Sequence, residues 1–453
     1  MAASDQNMPR VDQLIDAFQR KPLLSILLPV YNTKAEWLTR CIQSVRQQQY
    51  PYWELCIADD ASDHPHVQRI LRDYEAMDER IKVHYRQING HISEASNTAL
   101  RLATGEFILL LDHDDELSED ALYDVANALN RFPNADMLYS DEDKLDHEGK
   151  RCYPFLKPDW SPETFLSHMY TCHLGVYRTT IARKIGGFRK GFEGAQDYDF
   201  VLRFTEITDR VIHIPKILYH WRMHEKSTAV NVNAKTYAFA AGKRALQEAL
   251  QRRGEGGWVE SSYYYPGQYR VRYPCPTDQS ISIILQVNVS RYDWVDWVDQ
   301  LLDHTDYKNV SFLMLFTSND VKADSVQRVN KHPRCQAVHL PSDFSLKDLQ
   351  RRLDRGSMGT CCFFIKRPFK MPRSDWLKDL AGYCLRPAIH SVYCKVYHPD
   401  YSFYPEVISN TVPHDYDGVM MKREALLRYP IEDSDTIDSW LKKLEGRAVF
   451  IPL

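Results

Sequence analysis

Between Leu23 and Leu129, short apolar runs alternate with amphipathic stripes, and that alternation sets the tightest limit on how the chain can fold. Leu23–Val30 (LLSILLPV), Trp53–Ala58 (WELCIA), Ile81–Tyr85 and Glu106–Leu111 have the length and composition of strands. Between them, Trp37, Cys41, Ile42 and Val45 recur at helical spacing, and Val67–Met77 and Ile92–Ala103 read as helices. Ser118 offers an N-cap to a further helix, striped by Leu122, Val125, Ala126 and Leu129. Strands alternating with helices predict an α/β fold with a mostly parallel sheet. Ligands of such sheets gather beyond the C-terminal ends of the strands. The polar punctuation falls there: Tyr31-Asn32, Asp59-Asp60 and Asp112-His113-Asp114-Asp115. A shorter stripe, Val11, Leu14, Ile15 and Phe18, predicts a helix packed on the body. Peripheral membrane contact is its second reading, disfavoured because the polar face is not strongly basic.

At 453 residues the chain exceeds one ordinary domain. Residues 254–280 collect glycine and proline around Tyr263-Tyr264-Tyr265, and read as a linker or connecting hairpin. They separate a domain over 23–253, preceded by a helical extension over 1–22, from a domain over 281–453. Beyond the junction the chain repeats itself. An ungapped offset of 257 lays Ser25-Ile26-Leu27-Leu28 on Ser282-Ile283-Ile284-Leu285, Trp37 on Trp294 and Tyr50 on Tyr307. An offset of 254 lays Gly105–Leu111 on Gly359–Ile365; Gly175-Val176 then matches Gly418-Val419, and Ile214-Pro215 matches Ile451-Pro452. The repeat predicts a duplicated fold whose second copy is degenerate. Asp59 and Asp60 fall on Phe316 and Thr317, and Asp112, His113 and Asp114 on Lys366, Arg367 and Pro368. Lys366 and Arg367 read as a solvated turn, or as a contact for an anionic acceptor.

Composition narrows the function classes. A net charge of −4, from 57 basic and 61 acidic residues, leaves no overall footprint for nucleic acid. No apolar run is long enough to span a bilayer, and the N-terminal decapeptide lacks the apolar core of a secretory signal. The ten cysteines form no CxxC pair or framework, so reduced thiols and a cytoplasmic protein are expected, at most peripheral to the inner face of the cell membrane.

The acidic punctuation carries the chemistry. Carboxylates at i and i+2 after a buried strand are expected to point the same way, and hard oxygen ligands suit Mg²⁺ or Mn²⁺ with substrate phosphates completing the shell. The first strand is followed by Pro29-Val30-Tyr31-Asn32-Thr33, without the glycines of a nucleotidyltransferase loop or a dinucleotide-binding fingerprint. Further ordered matches are Ser93–Asn97 (SEASN), Tyr139–Lys144 (YSDEDK), Lys157–Trp160 (KPDW), Gly194–Asp199 (GAQDYD) and Tyr219-His220-Trp221-Arg222-x-His224. Together with Asp112-His113-Asp114, these make residues 25–229 resemble a family 2 glycosyltransferase with the GT-A fold. The set looks most like the branch of bacterial O-antigen and surface-polysaccharide enzymes.

The resemblance implies a set of roles. Pro29, Tyr31 and the Asp59-Asp60 pair would hold the nucleobase of a UDP- or dTDP-linked sugar. Asp112 would contact ribose or a metal-bound water, Asp114 and His224 would hold the metal with Asp112, and Arg222 and Ser227 would lie near the diphosphate. Asp197 would be the general base of an inverting transfer to a glycan or lipid-linked glycan hydroxyl. Lys157, Trp160, Glu193 and Gln196 are candidates for the sugar or acceptor pocket, with Gln196 standing where many relatives carry Glu. Asp199 reads as a helix-start carboxylate and His220 as structural. The alternative function is a non-catalytic protein, derived from such an enzyme, that binds carbohydrate or nucleotide sugar.

Overall fold

The computed structural model describes residues 11–224, 236–262, 265–287, 294–316, 323–339, 358–365, 374–387, 389–395, 418–424 and 447–452; Ser227, Lys366 and Arg367 lie outside them. The chain folds as two units. The first holds the residues up to Trp160 with His168–Gly254 and Val259–Arg270; the second holds Ser161–Ser167, Glu255–Trp258 and the residues from Val271 onward. Ser161–Ser167, expected in the first domain, thus belongs to the second unit, where the buried Glu163 faces Arg386. The stretch between the predicted domains holds a two-stranded hairpin, Trp258–Ser261 (β10) and Tyr269–Arg272 (β11).

In the first unit the strands are β1 Leu24–Val30, β2 Trp53–Asp59, β3 Ile81–Tyr85, β4 Phe107–Leu110, β5 Glu116–Leu117, β6 Met137–Leu145, β7 Arg151–Phe155, β8 Gly175–Arg178 and β9 Val211–Arg222. They form one sheet in the order β3-β2-β1-β4-β8-β6-β9-β5, with β7 added on β6. Only β8, β5 and β7 run against their neighbours, so the sheet is mostly parallel. β1 and β2 are buried almost throughout because helices cover both faces of a parallel sheet, which is why they read as unbroken apolar runs. Ile15 of the helix Val11–Asp16 joins that core, with Val11 and Phe18 packed beside it. The helix after β5 begins at Ala121 with Asp120 as its N-cap residue; Ser118, the expected cap, instead hydrogen-bonds the Asp120 carboxylate.

The second unit contains β12 Ile281–Val287, β13 Val310–Phe316, β14 Cys335–His339, β15 Cys361–Ile365, β16 Ile389–Lys395, β17 Gly418–Lys422 and β18 Arg447–Pro452. Their order, β14-β13-β12-β15-β17-β16-β18, repeats β3-β2-β1-β4-β8-β6-β9 strand for strand, with the same parallel and antiparallel neighbours. Register repeats too: Leu24 pairs with Trp53 and Phe107, as Ile281 pairs with Val310 and Cys361. Side-chain contacts follow suit. The Gly105 amide donates to Ser25 Oγ and the Gly359 amide to Ser282 Oγ, each at 2.8 Å. The Tyr50 hydroxyl donates to Pro22 O, the Tyr307 hydroxyl to Gln279 O. One sequence match shifts by a residue. Leu109 pairs with Val176 and Phe363 with Met420, so Val176 corresponds to Met420 rather than to Val419. A two-residue identity cannot fix register, because a slip of one residue only exchanges the faces of the strand; the hydrogen-bonded ladder does fix it.

Two expectations follow. A Cβ on Gly105 would come within 2.5 Å of Leu23 O, and one on Gly359 would meet Ser280 O equally closely. Gly105→Ala and Gly359→Ala should each cost about 1–3 kcal/mol, read as lower unfolding midpoints. Glu54, buried at the other end of the strands, pays a desolvation cost but accepts hydrogen bonds from Lys82, Ser25 and Thr104, which hold its pKa at about 2 rather than 4.5. Its stabilisation is complete above 4.5 and fades as pH falls toward about 2. In Glu54→Gln, urea midpoints should therefore fall less steeply over that window.

Candidate active site

The loop after β4 builds the acidic end of the site. It is a turn rather than more strand, since the Asp115 amide donates to Asp112 O, and strand alternation therefore does not apply to its side chains. Asp112 and Asp114 consequently meet different partners. Asp114 Oδ2 lies 2.7 Å from His224 Nε2. Burial opposes the Asp114 charge, but that hydrogen bond and the fields of His113 and His224 bring its pKa down to about 2. The His224 ring packs 4.9 Å from Trp37, which fixes the imidazole from behind. Asp112 points instead toward Asp115 and His173; their ligand atoms all lie within 4.8 Å of one another. Asp115 is fully buried, with Oδ2 accepting from the Tyr219 hydroxyl at 2.6 Å and Oδ1 from the Arg222 amide at 2.8 Å. Burial, and then the charges of Asp114 and Asp112, push its pKa well up. Asp115 is a buttress of the loop.

The donor set fits a hard divalent cation. Two ligands at right angles, each about 2.1 Å from an ion, stand about 3 Å apart, close to the spacing of Asp114 and His224. The Asp112 carboxylate accepts no hydrogen bond among the described residues, but its ligand-type neighbours are Asp115 and His173 rather than the Asp114–His224 pair.

At the neighbouring strand ends, Val30 pairs with Asp59, and His113 Nδ1 reaches Pro29 O at 3.3 Å, linking the first strand to the acidic loop. Tyr31 is 46% exposed beside them. The Asp59-Asp60 pair departs from expectation, because both carboxylates are buried. Asp60 is engaged by Arg86 Nε at 2.7 Å and by the Gly90 amide at 2.9 Å. Asp59 accepts from the Ser62 amide through Oδ1, its Oδ2 has no hydrogen-bond partner, and burial raises its pKa. Neither offers an open face to a nucleobase in this structure.

Asp197 lies in the first turn of the helix Gln196–Phe204. Its Oδ1 accepts from the Tyr198 amide. Burial raises its pKa, the nearby His173 opposes that, and the charge of Asp112 adds to it, so these three groups share one electrostatic environment. Its neighbours on the loop are occupied locally. Glu193 accepts from the Gly191 amide and Gln196 Oε1 from the Gly194 amide. Asp199 is buried against Arg189 and Arg203 and is structural, as is His220, bound to Asp143 at 2.6 Å.

Two further expectations change. Lys157 does not line a pocket; its buried Nζ donates to Glu142 Oε2 at 3.0 Å, to Thr171 O at 2.9 Å and to His173 O, using all three protons. Arg222 does not reach outward; Nε donates to Asp114 O at 2.8 Å and the guanidinium pairs with Glu116. Trp160 packs 6.1 Å from Tyr170. His173 is the residue the motifs missed. One signal was present: Ser140-Asp141-Glu142-Asp143 is a polar run inside a strand, and all four residues are buried. Such a run demands buried partners, here His213 for Asp141, Lys157 for Glu142, and His220 and Arg151 for Asp143. A distinct open cleft of about 930 Å³, lined by Arg40, Gln43, Gln47, Glu116, Asp120 and Lys216, touches neither Asp114 nor Asp197.

Lys157→Met would leave Glu142 buried without its cation. It should cost about 3–5 kcal/mol of stability in chemical denaturation.

Residues 25–186 match the sequence profile of Glycosyl transferase family 2. The chain is 38% identical over 401 residues to the uncharacterized protein y4gI of Sinorhizobium fredii, covering 86% of this chain and 44% of that one. It is 34% identical over 391 residues to the O-antigen biosynthesis protein RfbC of Myxococcus xanthus, covering 86% and 30%. It is 32% identical over 213 residues to the chondroitin synthase of Escherichia coli, covering 47% and 30%. The chain thus spans less than half the length of these relatives.

Proposed function

We propose, on the match of residues 25–186 to glycosyl transferase family 2, that the chain moves a sugar from a nucleoside diphosphate donor to a hydroxyl of a glycan or lipid-linked glycan in surface-polysaccharide synthesis. The observation that carries the reading is the convergence of Asp112, the Asp114–His224 pair and Asp197 at one end of the first unit's sheet. The polysaccharide setting draws on the relatives named for O-antigen and chondroitin synthesis.

Asp197 takes the proton from the acceptor hydroxyl as its oxygen attacks the anomeric carbon, and the sugar–phosphate bond breaks on the opposite face, inverting the centre. Asp112, Asp114 and His224 would hold Mn²⁺ or Mg²⁺, which when bound neutralises charge on the departing diphosphate. Pro29 and Tyr31 flank the nucleoside side; contact with Asp60 requires its pair with Arg86 to open. The second unit reads as a copy of the fold that kept its scaffold and lost its site. At the ladder position of Asp59 it carries Phe316, buried in its core. That unit, rather than the whole chain, suits the scaffold alternative.

With a panel of nucleotide sugars and Mn²⁺, Asp197→Asn should lower transfer by about 10²–10⁴-fold while nucleotide binding is kept. Transfer unchanged in Asp197→Asn would remove the base assignment, and full metal-dependent activity in Asp114→Ala would remove the metal assignment. Because burial raises the Asp197 pKa above 3.8, the rate should fall on acidification at a pH above that of an ordinary aspartate.

A further inference from the structure

One half-buried imidazole at the centre of the site has no assigned task. His173 lies in the bend that leads into β8, and neither of its ring nitrogens has a hydrogen-bond partner among the described residues. A ring nitrogen nevertheless lies within 4.8 Å of carboxylate oxygens of both Asp112 and Asp115. The ring is stacked on Tyr219, centroids 4.5 Å apart and planes 22° from parallel, and its edge meets Trp221 at 5.8 Å. Tyr219 is the residue whose hydroxyl holds Asp115 and also accepts from the Asp112 amide, so the stack ties the imidazole to the acidic loop itself.

The backbone of His173 is held as firmly as its ring. Its amide donates to Glu142 Oε2 at 3.0 Å, and its carbonyl accepts from Lys157 Nζ. The next residue is fixed as well, the Leu174 amide donating to Ser140 Oγ. A buried ion pair whose hydrogen bonds converge on both sides of one residue is a costly way to hold a loop, unless that residue must be placed accurately.

We propose that His173 is part of the transfer site and donates a hydrogen bond to the diphosphate of the nucleotide donor. The proposal rests on the transferase reading of the same site. The chemistry asks for such a donor: on the transferase reading, an anionic diphosphate would meet the carboxylates of Asp112, Asp114 and Asp197 at this end of the sheet. Arg222, the guanidinium expected there, is spent on Glu116 and Asp114 O. His173 faces the same space with its nitrogens unused. Lys157 and Glu142 act through it and are positioning residues.

The test uses the full chain with UDP, dTDP, GDP and ADP, each with Mg²⁺, in titration calorimetry. His173→Phe keeps a ring on Tyr219 and removes both nitrogens. Affinity for the diphosphate that the unaltered chain binds best should fall about tenfold with the unfolding temperature kept, and His173→Gln should recover part of the loss. In the unaltered chain labelled at histidine ¹³Cε1, the signal missing from His173→Phe should move when that nucleotide and Mg²⁺ are added. Equal affinity in His173→Phe, or an unmoved His173 signal on saturation, overturns the proposal and leaves the transferase reading standing. Failure of the unaltered chain to bind any of the four nucleotides overturns the transferase reading, and this proposal with it.

Discussion

The carboxylate of Asp115 is buried among like charges, and the groups that meet it, the Tyr219 hydroxyl and the Arg222 amide, both belong to β9. That pair of hydrogen bonds fastens the loop after β4 to a strand far away in sequence. An unsatisfied carboxylate at such a depth would be prohibitively unstable, so the loop has little freedom to adopt another course. The consequence is functional. With Asp115 spent on structure, Asp112 and Asp114 are turned to separate partners, and His224, two residues beyond the Arg222 anchor, is carried to within 2.7 Å of Asp114.

A second buried network does the same for the opposite wall. The acids of β6 cannot all be exposed in a strand flanked by β8 and β9, and each takes a base from a neighbouring element. The Glu142–Lys157 pair fixes the segment that carries His173. Ion pairs of this kind add little net stability over an apolar core, but removing one partner is severe, so they suit positions where placement matters more than strength. Both walls of the site are thus set by buried polar groups on β6 and β9, while its floor is the apolar parallel core of β1, β2 and β4.

The two units share a scaffold and differ at its strand ends. They share strand order, ladder register and the serine–glycine and tyrosine–carbonyl hydrogen bonds that lock the first strand to its neighbours. Those contacts involve backbone groups or small side chains packed against backbone, where a substitution costs stability. The residues beyond the strand ends are not needed for the sheet, and there the units diverge, with Phe316 at the place of Asp59.

The order of strands and helices, the parallel sheet and the position of the acidic punctuation were legible in the sequence, because burial on two faces writes apolar runs locally and each element carries its own period. The repeat was legible for the same reason, apart from the one-residue slip at β8 that only a ladder resolves. Asp114, His224 and Asp197 could be named as candidates from local motifs. What local pattern could not supply was the state of each polar group. Asp115, Arg222, Lys157 and Asp60 look like ligand-facing residues in the sequence, and the fold turns each of them inward onto a partner. His173, in an ordinary-looking segment, is brought into the site by the pairing of β8 with β6 and the stacking of Tyr219 from β9. Whether a charge is available to a ligand depends on what the chain places opposite it, often tens of residues away, and that juxtaposition exists only in the tertiary structure.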